Sequence, residues 1–98
     1  MFYLYFQNNS GGYYVTNAEF GIGEFIIIEA NSENDADDKL FDITSNKDEF
    51  VSYCECCGFR WSYDCEDSSS DWRNFLSRSF VRSSEGYVHY LNGSIESI

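Results

Sequence analysis

The feature that most limits what this chain can become is its ring content: nine Phe, eight Tyr and two Trp among 98 residues, with no Pro. Each buried ring removes about 150–250 Å² from water, so a small domain built on rings needs few aliphatic residues. A chain of this length holds one such core and not two, which predicts a single domain over residues 1–98. Rings beyond what one small core can hold belong in an interface, where aromatics are enriched, and predict a homo-oligomer, at least a dimer.

Charge is concentrated in the middle of the chain. Residues 29–71 hold thirteen acids against Lys39, Lys47 and Arg60, whereas residues 1–28 hold only Glu19 and Glu24. The last third sets Arg73, Arg78 and Arg82 against Glu85 and Glu96, and the whole chain carries −11. Such a field repels phosphates and attracts basic surfaces, so direct nucleic-acid binding is disfavoured and a cationic partner is favoured. The longest apolar run, Phe25-Ile26-Ile27-Ile28, is far below the ~20 residues of a membrane span and reads as a buried central strand. The opening Met1-Phe2-Tyr3-Leu4-Tyr5-Phe6 lacks the basic and small-residue regions of a signal peptide, which predicts a cytoplasmic protein with reduced cysteines.

The local pattern predicts an α+β fold: an antiparallel sheet of about five or six strands with one principal helix packed on one face, and a cysteine-bearing turn near a sheet end. Phe2 to Gln7 and Tyr13 to Thr16 flank Asn8-Asn9-Ser10-Gly11-Gly12 and read as an opening hairpin. Ser32 can cap a helix in which Ala36, Leu40 and Ile43 repeat at helical spacing, with Asp37, Asp38 and Asp42 turned to water. Asp71 or Ser70 can cap a short helical turn through Trp72, Phe75 and Leu76. A closing hairpin is expected from Phe80-Val81-Arg82 and Tyr87 to Leu91, with Gly86 in the left-handed region of the loop between them.

Cys54-Glu55-Cys56-Cys57-Gly58 contains one C-x2-C, which supplies two thiolates from a tight turn. Structural zinc would take Cys54 and Cys57 with Cys65 and the single His89, although a lone knuckle is half a site and buried thiols are the plainer reading. No spacing singles out a nucleophilic cysteine, a carboxylate pair or a phosphate-binding glycine loop, so the chain reads as a binding protein and not an enzyme.

Two segments, Gln7-Asn8-Asn9-Ser10-Gly11-Gly12 and Cys54-Glu55-Cys56-Cys57-Gly58-Phe59-Arg60-Trp61, together with Ile28-Glu29-Ala30-Asn31-Ser32, resemble a group of small proteins of unknown function encoded by tailed phages. The resemblance covers about the first two-thirds of the chain and implies a phage origin, the cytoplasm of a bacterial host, and counter-defence as the class of function. Sequestration of a small anionic, nucleotide-type immune signal is the leading expectation. The loop Asn8, Asn9, Ser10, Gly11 and Gly12 offers amide donors, Arg60 a fork for phosphate and Trp61 a stacking face. The alternatives are an acidic protein that mimics nucleic acid and blocks a host defence protein, and a small zinc-stabilised accessory domain.

Overall fold

The computed structural model describes residues 1–8, 14, 16–45, 53–54, 58–59, 61 and 65–98, with residues 45, 53–54 and 58–59 described by backbone alone. In chain order the elements are β1 (Phe2–Phe6), a 3-10 turn at Ala18–Phe20, β2 (Phe25–Glu29), the helix α1 (Glu33–Ser45), and two short strands, β3 (Tyr53–Cys54) and β4 (Gly58–Phe59). There follow β5 (Asp67–Ser69), a 3-10 helix at Trp72–Ser77, the short helix α2 (Ser79–Ser83), β6 (Gly86–His89) and β7 (Ile95–Ser97).

The main sheet has the order β5-β1-β2-β6-β7. β1 lies antiparallel to β2, with Tyr3 opposite Ile28, and antiparallel to β5, with Tyr3 opposite Ser68. β6 and β7 are also antiparallel. At the centre, however, β2 and β6 run parallel, with Phe25 beside Gly86 and Ile28 beside His89. The fold is α+β as expected, but the expectation of an antiparallel sheet is corrected to a mixed one. A parallel pair needs a long crossover, and residues 30–85 supply it.

β2 is apolar at four successive positions because both of its faces are covered. Ile26 and Ile28 join Tyr3, Tyr5 and Trp61 beneath Ala36 and Leu40 of α1. Phe25 and Ile27 join Leu4 and Val88 beneath Phe75 and Val81, from the 3-10 helix and α2. The expected short helical turn through Trp72, Phe75 and Leu76 is thereby part of a second covering layer, on the sheet face opposite the principal helix. α1 starts as its sequence predicts, with Ser32 Oγ accepting from Asp35 N at 3.2 Å.

β1 pairs with β2 over Phe2–Phe6 and with β5 over Phe2–Leu4, while residues 9–13 and 15 of the expected opening hairpin lie outside the described residues. The closing hairpin does not form as drawn. Both edges of β6 are taken by β2 and β7, so Phe80-Val81-Arg82 forms part of α2 and the closing hairpin joins β6 to β7. Gly86 is correspondingly in a strand and not at positive φ, which among the described residues occurs at Gly21 and Gly93. Its missing side chain serves packing, since a Cβ there would lie 2.3 Å from the Phe25 ring.

Candidate binding site

Three rings from remote stretches of chain meet where β1 begins. Phe2 and Tyr90, which follows β6, stand edge to face with centroids 6.1 Å apart at 89°. Trp72, the first residue of the longer 3-10 helix, donates its indole N–H to the Tyr90 hydroxyl at 3.1 Å. That hydroxyl in turn donates to Glu96 Oε1 of β7, and the carboxylate beside it pushes the phenol upward from its ordinary pKa.

Arg73 and Asp71 flank the rings. Asp71 caps the 3-10 helix by accepting from Arg73 N at 3.0 Å, and its Oδ1 lies 3.5 Å from Arg73 Nε. The Arg73 guanidinium carbon is 5.6 Å from the centre of the Trp72 ring, within cation–π range. Phe2, Ser70, Asp71, Trp72, Arg73 and Tyr90 line an open cleft of about 360 Å³, inside the range of small-molecule sites of roughly 300–1,000 Å³.

A second polar set lies on the opposite face of the sheet and ties α1 down. Tyr5 donates its hydroxyl to Asp37 Oδ1 at 2.5 Å, so Asp37 is half-buried and does not simply face water as its spacing suggested. Cys65 donates its thiol to Glu33 Oε1 at 2.6 Å. Burial, then the bond to Glu33, pushes the Cys65 thiol up to about 12, and burial, then the bond to Asp37, pushes the Tyr5 phenol up too. These groups keep their protons at neutral pH, which suits a structural clasp and not a nucleophile.

The family model of a domain of unknown function, DUF7296, matches residues 1–98. The chain belongs to the DUF7296 family. No curated protein and no solved structure matches it. The matched span takes in the cleft, the clasp and every residue singled out from the sequence.

Of the residues singled out from the sequence, only some fall among the described residues. Asn9, Ser10, Gly11, Gly12, Arg60 and Cys57 lie outside the described residues, and Cys54 is described by backbone alone, paired with Gly58 across β3 and β4. Asn8 is half-buried at the end of β1, next to Gln7, whose Nε2 donates to Gly23 O at 2.9 Å and fixes the bend before β2. Trp61 bridges to Gln7 but is 1% exposed, so its ring belongs to the core beneath α1. Its indole N–H has no hydrogen-bond partner among the described residues.

Cys65 and His89 are not brought together. Three strand spacings of about 4.8 Å, roughly 14 Å, separate the β5 edge from β6, too far for two ligands of one tetrahedral ion. His89 is 4% exposed and its Nε2–H donates to Gly21 O at 2.7 Å. Burial pushes its pKa down.

Arg78 reaches Asp67 at 3.2 Å and lies over the Phe6 ring, at the far end of β1 from Arg73. Arg73 lines the cleft and Arg78 is not among its lining residues. Sequence reasoning missed the cleft because Phe2, Trp72 and Tyr90 form no local motif. The excess of rings was the only available signal.

Proposed function

We propose that this chain is a non-enzymatic binding protein of phage origin that works in the cytoplasm of a bacterial host, where it blocks a basic host defence protein by occupying the surface that otherwise holds nucleic acid. The observation that carries this reading is the acidic stripe of α1. Asp35, Asp38 and Asp42 are exposed and spaced by three and four residues, on the helix face opposite buried Ala36 and Leu40. At 1.5 Å of rise per residue they set one carboxylate about every 4.5–6 Å, a line of negative charge such as a phosphate backbone offers a cationic groove. The net charge of −11 adds long-range attraction for such a partner.

A pull-down from bacterial lysate at low and high salt tests the reading. Capture at low salt that falls steeply at high salt, and that is lost in a D35K/D38K/D42K variant, is the expected result. Recovery of no partner at either salt refutes it.

Sequestration of a small anionic, nucleotide-type ligand is the second reading, supported by Arg73 beside the Trp72 ring, which pairs an anion-binding fork with a stacking face. It ranks second because Trp61 is core and Arg73 and Arg78 each lie against a carboxylate. Calorimetry with cyclic and linear nucleotides tests it, and no heat at high micromolar concentration removes it.

A further inference from the structure

The cleft of Phe2, Trp72 and Tyr90 has the chemistry of a cation receptor. Three of its six lining residues are aromatic, beside Ser70, Asp71 and Arg73, and an aromatic π-system attracts an ammonium or guanidinium group within about 6 Å of its centroid. Asp71 lines the cleft with its carboxylate against the Arg73 guanidinium, and Glu96, outside the lining, accepts from the Tyr90 hydroxyl. The rings and the Asp71 carboxylate are the groups that a positive guest would meet there. The arrangement also contains a cation already, because Arg73 lies over the Trp72 ring from an exposed position with 65% of its side chain accessible. Arg73 is thus an internal occupant that a better-placed cation can displace into water at little cost.

We propose that this cleft receives an arginine or lysine side chain from a basic polypeptide, with Phe2, Trp72 and Tyr90 as the ring walls and Asp71 as the countercharge. This deepens the proposed engagement of a basic partner by naming a specificity pocket beside the non-specific attraction of the α1 stripe, and it rests on that reading for the partner's class. The hydrogen-bonded series Trp72 to Tyr90 to Glu96 pre-sets the ring positions, so little ordering is required on binding.

The test follows the two indole N–H signals by 15N NMR on the full chain while a neutral-capped Gly-Arg-Gly peptide is added at constant ionic strength. The Trp72 signal is expected to shift saturably, whereas that of Trp61, buried in the core, stays in place as an internal control. Methylguanidinium alone should need at least tenfold higher concentration, and a capped Gly-Glu-Gly peptide or adenosine monophosphate should leave Trp72 unmoved. R73A, which removes the internal competitor from an exposed position, should tighten peptide binding about two- to fivefold, the range of an exposed cation–π contact.

A Trp72 signal that moves for adenosine monophosphate and not for the arginine peptide overturns the proposal, as does loss of peptide binding in R73A. Equal potency of methylguanidinium and the peptide overturns the polypeptide source. The titration needs no lysate partner, so a failed pull-down with a saturable titration separates the α1 reading from the cleft.

Discussion

His89 is the one imidazole in the chain, and its ring N–H donates to Gly21 O from a buried position. Gly21 meets it with φ of +67°, and a Cβ there would lie 2.7 Å from the imidazole, so the glycine is required twice over. Burial lowers the pKa of His89, and the Lys39 ammonium adds to the same direction against the pull of the Gly21 carbonyl. The unfolded chain takes up its proton near pH 6.5 while the native ring does not, so the unfolded state binds more protons there and stability falls as the pH drops. Thermal melts between pH 7 and 5.5 should show a decline in Tm that His89→Gln flattens. Cys65 makes a contrasting prediction: with its thiol held protonated by burial and Glu33, alkylation by iodoacetamide at pH 8, read by peptide mass mapping, should run at least tenfold slower than for the unfolded chain. Neither environment has a local signature. The sequence marks His89 and Cys65 as candidate ligands, and their true partners, Gly21 and Glu33, are 68 and 32 residues away.

Among the elements, those governed by short-range rules match their sequence. Ser32 and Asp71 cap where they should, and Ala36 and Leu40 bury the predicted face of α1. Strand partners are another matter, because a strand's sequence specifies its faces and not its neighbours. The β2–β6 pairing depends on Gly86, whose absent side chain admits the Phe25 ring beside it. Gly86→Ala should therefore strain the central pair by overpacking and cost about 1–3 kcal/mol, measured as a drop in the urea midpoint. An unchanged midpoint would show that the Phe25 ring has room to move. Tyr5→Phe, which removes the hydroxyl that donates to the Asp37 carboxylate, should cost about 1–2 kcal/mol by the same measurement.

At the scale of the whole molecule, the expected homo-oligomer has a physical place to form. β7 is an edge strand with all three residues exposed, Ile95 is 46% exposed within it, and Leu91 is 56% exposed in the turn before it. Unpaired edges invite a second strand, and antiparallel pairing of two β7 strands satisfies a two-fold axis. Light scattering should give a mass near twice 11.4 kDa, and the monomer mass at high micromolar concentration refutes the dimer. Among the described residues no helix is long and apolar enough to cross a membrane. What the sequence by itself determined is the set of local facts: an α+β domain built on rings, a central strand apolar on both faces, the helix caps and an acidic middle. Periodicity, capping and charge act within a few residues and can be read in one dimension. Only the tertiary structure decided that the sheet is mixed, that Trp61 is core while Trp72 lines a cleft, and that Cys65 and His89 stand apart. Each of those outcomes depends on contacts between segments tens of residues apart, and no short-range pattern encodes them.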